Sequence, residues 1–188
     1  METERRTAVT DLRLSGAQRL LDVACGPGNF TRSLSESLSA DGGAVNCNTD
    51  GLAVGFDISG PMLRRAVVDN PGPMVAYARG DASRLPFAPG TFDAVCCFGA
   101  LYLMPEPVEV LREMVRVLAP GGRIAVMTSY PGAHGPRRHA VGAVGQLVGV
   151  RMFERDTVPD LFADAGLVEI EQRLRGVVQY VNATKPAA

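Results

Sequence analysis

Leu20-Leu21-Asp22-Val23-Ala24-Cys25-Gly26-Pro27-Gly28-Asn29-Phe30 decides the fold of this chain. An apolar strand runs into a glycine turn, and the turn runs into a helix that opens at Asn29. Glycine admits positive φ and lets the backbone approach a ligand closely. The first turn of a helix carries N–H groups with no partner inside the helix. Strand, turn and helix in this order form a cradle for a nucleotide-like cofactor at the strand end. The full dinucleotide fingerprint asks for a third glycine three residues after Gly28, and that position is Thr31. Pro27 removes one N–H from the turn, which makes it a poorer cradle for a diphosphate.

Working outward, strand-like and helix-like segments alternate. Strands are expected at Arg19–Ala24, Ala53–Asp57, Val75–Arg79, Ala94–Phe98 and Arg123–Thr128. Between them, Asn29–Ala40 carries Phe30, Leu34 and Leu38 on one helical face. Ser59 and Pro61 read as the N-cap and an early position of a helix reaching about Val68. Glu106–Leu118 is an amphipathic helix that Pro120-Gly121-Gly122 should stop. This alternation predicts an α/β fold, a parallel sheet with helices on both faces. The C-terminal end differs. A short helix, Val158–Ala165, closes at Gly166. Val168–Leu174 and Val177–Val181 then follow with only Arg175-Gly176 between them, which requires an antiparallel hairpin. Seven strands in all are expected: a doubly wound, mostly parallel sheet ending in a C-terminal antiparallel hairpin.

Two acids stand where strands end. Asp57 closes Gly55-Phe56-Asp57-Ile58-Ser59, and a carboxylate there can accept two charge-assisted hydrogen bonds from ribose hydroxyls. Gly28 and Asp57 are 29 residues apart. Asp41-Gly42-Gly43-Ala44-Val45 nearly repeats nine residues later as Asp50-Gly51-Leu52-Ala53-Val54, so Asp41–Thr49 reads as an insertion extruded as a loop. Without it the separation is about 20 residues, the ribose-acid spacing. Asp81, in Arg79-Gly80-Asp81-Ala82-Ser83, follows the third strand. It is placed to accept from an adenine amino group while the Ala82 N–H meets a ring nitrogen; the alternative is a turn-forming Asp. Adenine and ribose sites without a diphosphate site describe a nucleoside cofactor.

The composition narrows the partners. The 188 residues suit one domain, residues 1–188, with 46% apolar and 21% charged side chains as in ordinary globular proteins. The net charge of −1 gives no pull toward nucleic acid or anionic membranes. No apolar run approaches the ~20 residues of a membrane span, and Met1 to Arg6 lack the apolar core of a secretory signal. The four cysteines, Cys25, Cys47, Cys96 and Cys97, form no C-x-x-C pair, so no metal site is indicated. A reduced, cytoplasmic protein is expected.

Taken together, these motifs resemble the class I S-adenosylmethionine-dependent methyltransferases. Within them the chain is most similar to the small-molecule group that includes the ubiquinone/menaquinone C-methyltransferases. The resemblance rests on Leu21 to Gly28, Gly55 to Ser59, Gly80-Asp81-Ala82 with Leu85-Pro86-Phe87, Phe92 to Val95, Leu111 to Gly122, and the terminal hairpin, over about residues 18 to 185. Any one motif is weak; five in order at family spacing are strong. The resemblance implies a Rossmann-like sheet and S-adenosylmethionine as cofactor, with S-adenosylhomocysteine as product. It implies that Asp22, Ala24, Gly26 and Gly28 line the methionine end, and that Asp57 holds the ribose with Ile58 beside the adenine. Asp81 and Ala82 would read the adenine. Phe98 and Gly99 would lie near the sulfonium, and Tyr102 and Leu103 near a small-molecule acceptor.

Methyl transfer from a sulfonium is an in-line displacement whose leaving group needs no protonation. The main requirement is an acceptor atom held about 3–3.5 Å from the methyl carbon, so no conspicuous catalytic residue is demanded. A phenol or activated carbon acceptor needs a base. His134, His139 and Tyr102 are the weak candidates, with Arg137-Arg138 nearby. Both histidines lie in Pro131–Val150, a Gly-rich stretch at the ligand-binding end of the sheet and a candidate lid. Relatives carry a few dozen residues ahead of the first strand, whereas residues 1–18 allow one short helix. The acceptor side is therefore expected to be open, closed by a partner subunit in a homodimer, or completed by sequence beyond the recorded start. The competing readings are a cofactor-binding protein without catalysis, truncated or accessory, and a nicotinamide oxidoreductase.

Overall fold

A computed structural model describes residues 7–8, 10–38, 51–132 and 151–187. Seven strands form one sheet: β1 (Arg19–Val23), β2 (Leu52–Asp57), β3 (Val75–Arg79), β4 (Phe92–Phe98), β5 (Leu118–Ser129), β6 (Val168–Arg175) and β7 (Val178–Thr184). Their order is β3-β2-β1-β4-β5-β7-β6. β1 to β5 pair in parallel, and β7 is antiparallel to both β5 and β6. The order reverses between β1 and β4. In an open α/β sheet such a switch point, at the C-terminal strand ends, is where ligands sit.

Alternation along each strand sends side chains to opposite faces. Leu21 and Val23 of β1 join Val95, Cys97, Ile124 and Val126 under α3 (Pro107–Val117) and α4 (Thr157–Asp164), whose Leu111, Met114, Val158 and Phe162 are fully buried. Leu20, Ala94, Cys96 and Ala125 face the other way. There they meet Leu34 of α1 (Asn29–Ser35) and Ala8, Leu12 and Leu14 of the N-terminal segment. Each fully buried leucine contributes roughly 2 kcal/mol. The described N-terminal residues Ala8, Leu12 and Leu14 therefore cover a sheet face.

The expected architecture is the observed one, with local differences. α1 ends at Ser35 and continues as a 3-10 turn, Glu36–Leu38. α2 (Gly60–Asp69) starts after Ser59, whose hydroxyl accepts from the Met62 N–H. α3 ends at Val117, and Pro120-Gly121-Gly122, expected to stop it, lies instead in a bulge within β5, which begins at Leu118. The ladder pairs Phe92 with Leu118 and then Ala94 with Arg123, and a Cβ on Gly122 would stand 2.8 Å from the Asp93 carbonyl oxygen. The hairpin turn is Gly176-Val177, one residue later than expected, because only Gly176 takes the positive φ, +60°, that the first turn position needs. Asp41–Thr49 lies outside the described residues. Its neighbourhood closes on itself, since the Gly51 N–H donates to the Leu38 carbonyl at 3.2 Å.

Candidate functional site

The turn after β1 is held by hydrogen bonds that leave it few donors. The Cys25 N–H donates to Phe56 O at 3.2 Å and the Gly28 N–H to Cys25 O at 3.0 Å. The Gly26 N–H donates to Asp57 Oδ2 at 2.8 Å. Pro27 has no N–H. Ala24 takes φ +59°, an unusual value for a residue with a Cβ. Gly26 and Gly28 take +55° and +79° as well, so three residues of the turn use the left-handed region.

Asp22 lies beneath this turn, on the α1 face of the sheet, and is 2% exposed. Thr31 Oγ1 donates to its Oδ2 at 2.6 Å and Cys96 Sγ to its Oδ1 at 3.7 Å. Burial raises its pKa to about 6, against the two hydrogen bonds and with the help of the nearby Asp57 charge. Here the missing third glycine acquires a physical reason. In a dinucleotide turn that glycine permits close helix–strand packing. In this chain Thr31 uses the same inward position to satisfy a buried carboxylate, which a glycine would leave short of a donor.

A cavity of about 270 Å³ opens over the C-terminal strand ends. Ala24, Phe56, Asp57, Ile58, Gly80, Asp81, Ala82 and Ser83 line one side; Ala100, Leu103, Met104, Pro105, Glu106 and Val110 line the other. Asp57 also accepts from the Ser59 N–H, through Oδ1 at 2.7 Å. A carboxylate offers about four acceptor positions, so two remain open. Asp81 Oδ1 accepts from the Ser83 N–H at 2.9 Å and from its hydroxyl at 2.8 Å, which holds its carboxyl below the usual range. It is thus a turn-former and a pocket residue at once. Ile58 is 66% exposed and Leu103 61%, two apolar side chains facing open space at the rim.

The following loop is fixed from α3. Glu113 Oε2 accepts from the Leu85 N–H, and Arg116 donates to the Leu85 and Phe87 carbonyls. Arg151 plays a similar part on the other wall. Its N–H donates to Tyr102 O at 2.9 Å and its guanidinium to Pro105 O at 3.2 Å.

Of the ten cofactor-site residues expected from sequence, Ala24, Asp57, Ile58, Asp81 and Ala82 come together in the cavity wall. Gly26 and Gly28 belong to the adjoining turn, and Asp22 is buried beneath it. Phe98 packs on Phe30, with ring centroids 5.0 Å apart, and Gly99 takes φ +81° at the end of β4, just before Ala100 enters the wall. Tyr102 is half-buried beside the wall. His134, His139 and the candidate lid, apart from Pro131 and Gly132, lie outside the described residues. Sequence reasoning missed Thr31 as the partner of Asp22, and it missed Glu106, a third pocket acid. A signal existed for Thr31: a hydroxyl on the inner helix face, nine residues after an acid in a buried strand.

Comparison with known proteins places the chain in a family. Residues 21–126 match the family model described as a methyltransferase domain. The chain is 33% identical over 132 residues to demethylmenaquinone methyltransferase of Lactiplantibacillus plantarum, an alignment covering 68% of this chain and 52% of that protein. It thus spans about half the length of the curated relatives it matches. A solved S-adenosylmethionine-dependent methyltransferase from Mesorhizobium loti superposes with TM-score 0.74 at 21% identity, covering 96% of each chain. Phosphoethanolamine N-methyltransferase 2 of Haemonchus contortus, solved with S-adenosyl-L-methionine, superposes with TM-score 0.77 at 16% identity over 98% of this chain and 52% of that one. These last two likenesses concern the fold. With more than half its length inside the family model, the chain belongs to the methyltransferase domain family.

Proposed function

We propose that this protein binds S-adenosylmethionine in the cavity over the strand ends and transfers its methyl group to a small aromatic acceptor of the quinol type. One observation carries the cofactor half. The N–H groups of Gly26 and Gly28 are already spent on Asp57 and Cys25, and Pro27 has none. A diphosphate needs free N–H donors and positive charge at this point. Among the described residues, the charged ones of the cavity wall are instead Asp57, Asp81 and Glu106, all acids. Such a site repels phosphates and favours a cationic nucleoside.

The residues present fit that cofactor. Asp57 has two open acceptor positions for ribose hydroxyls, Ile58 offers an apolar face to the adenine, and Asp81 with Ala82 reads its edge. When bound, the sulfonium supplies an electrophilic methyl group whose departure requires no proton. The chain's task is then to hold and orient two molecules and to keep water out. Leu103, Met104 and Pro105 give the second wall an apolar character suited to excluding water. A quinol acceptor has to lose a hydroxyl proton to make its ring carbon nucleophilic. Tyr102, His134 and His139 are the candidate bases. The demethylmenaquinone methyltransferases among the relatives support the acceptor class, and free Cys25, Cys96 and Cys97 suit a reduced, cytoplasmic setting.

Calorimetric titration with S-adenosylmethionine, S-adenosylhomocysteine and NADH tests the cofactor. Binding of the two sulfur nucleosides without NADH is expected; binding of NADH alone overturns the reading. Transfer of labelled methyl groups to a panel of quinols, phenols and lipid extracts tests the acceptor. Label in none of them, from protein that binds the cofactor, favours a binding protein without catalysis.

A further inference from the structure

We propose that Asn70 and Tyr77 are positioning residues that set the Gly26–Gly28 turn for the methionine end of the cofactor. The inference rests on the cofactor reading above. The turn's donors are spent, as shown, and its carbonyls are held from outside. Asn70 Nδ2 donates to Pro27 O at 2.8 Å and to Asn29 Oδ1 at 2.5 Å. A side-chain amide has two N–H groups, so both bonds form together. Tyr77 Oη, from β3, donates to Asn70 O at 2.8 Å and stands 3.4 Å from Gly28 O.

Asn70 is itself fixed. It is the C-cap of α2, and its N–H donates to Ala66 O at 3.0 Å. The segment from Asp57 to Asn70 therefore grips the turn twice. Asp57, ahead of the helix, takes the Gly26 N–H, and Asn70, behind it, holds the Pro27 carbonyl. Nothing in this arrangement has slack: a Cβ on Gly28 would lie 2.4 Å from Tyr77 Oη, and one on Gly55 2.7 Å from the Tyr77 ring. Burial raises the Tyr77 pKa to about 12, so the phenol keeps its proton and remains a donor at neutral pH. The consequence is a turn whose carbonyl directions are set before the cofactor arrives, which lowers the ordering cost of binding. It acts on the part of the cofactor over the turn and not on adenosine, which Asp57, Ile58 and Asp81 hold.

The experiment is calorimetric titration of the full chain with S-adenosylhomocysteine and, separately, with adenosine, below the melting temperature of every variant. Asn70→Ala, Tyr77→Phe and the remote core variant Val181→Ala are compared with the unmodified protein. Asn70→Ala is expected to weaken S-adenosylhomocysteine about tenfold and Tyr77→Phe about threefold, as for one lost hydrogen bond or part of one. Adenosine should stay within about twofold in both, and Val181→Ala should alter neither ligand. Unchanged S-adenosylhomocysteine binding in both site variants overturns the proposal. Equal weakening of both ligands overturns it as well, since that marks a general structural role. If Asn70→Ala fails to fold, Tyr77→Phe carries the same comparison. Unmodified protein that binds neither ligand sinks the cofactor reading, and the proposal with it.

Discussion

Two corners of the sheet handle charge in opposite ways. At the β5–β7–β6 corner, Arg123 is 6% exposed and fully engaged. It donates to Asp11 O, Glu169, Thr184 and Asn182. Arg173 pairs with Asp11 and Arg13 with Glu169. This network pins the N-terminal segment to the sheet and holds Glu169 at φ +51°, a strained value inside the β6 bulge. At the cavity corner, the charged side chains among the described wall residues are the three carboxylates Asp57, Asp81 and Glu106. A buried guanidinium with its acceptors around it locks a fold, whereas acids left with open acceptor positions at a strand end await a ligand. The contrast predicts that mutations in one corner move stability and in the other binding.

The largest expected effect is at Arg123. Arg123→Ala leaves the buried Asp11 carbonyl and Asn182 Oδ1 unpaired and should cost about 3–5 kcal/mol of folding free energy, at about 1–3 kcal/mol for each acceptor. Urea denaturation measures it, while cofactor affinity of the folded fraction stays unchanged. A loss under about 1 kcal/mol breaks the comparison.

Asp22 comes next, and its effect depends on pH. Its folded pKa, about 6, lies above the unfolded value of 3.8. The folded state therefore binds a proton more tightly, and stability falls as pH rises from about 4 to about 6. Above pH 6 the full penalty is present, about 3 kcal/mol. Asp22→Asn, which keeps an acceptor for Thr31, should remove this dependence. Its stability relative to the unmodified protein should rise by about that amount between pH 4 and pH 8. A difference that stays flat with pH shows that Asp22 is not the titrating group.

Asp57→Ala should reverse the Arg123 pattern. Losing the proposed ribose contacts costs about 2 kcal/mol of binding, about thirtyfold in affinity. The substitution also releases the Gly26 and Ser59 N–H groups, a stability loss of about 1–2 kcal/mol, below that of Arg123→Ala. Calorimetry and a thermal scan of one sample distinguish the two. The smallest effect is at Ala24. Ala24→Gly relieves the positive φ but loosens the unfolded chain, for a net stabilisation of about 0.5–1 kcal/mol. A clear destabilisation in chemical denaturation would mean that the Ala24 methyl packs more than its conformation strains.

Much of this molecule was legible in the residue order. The strand after strand pattern, Ser59 as an N-cap, Val75–Arg79 as a strand and the C-terminal hairpin all follow from periodicities and caps within a few residues. Pro120-Gly121-Gly122 was read only as a helix stop, because a helix stop and a strand bulge share the same residues. Only the neighbouring backbone, Asp93 against Gly122, separates them. The absent third glycine set the turn apart from the dinucleotide fingerprint, yet the role of Thr31 needed the fold.

The sequence by itself determined the fold class and the family, because each rests on short stretches whose backbone preferences are local. Tertiary structure alone decided how the turn is held and where its charges sit. Gly26 meets Asp57 across 31 residues, Pro27 meets Asn70 across 43, Cys96 meets Asp22 across 74 and Arg123 meets Asp11 across 112. Bonds of that span follow from how strands pair and helices pack, and no local preference records them.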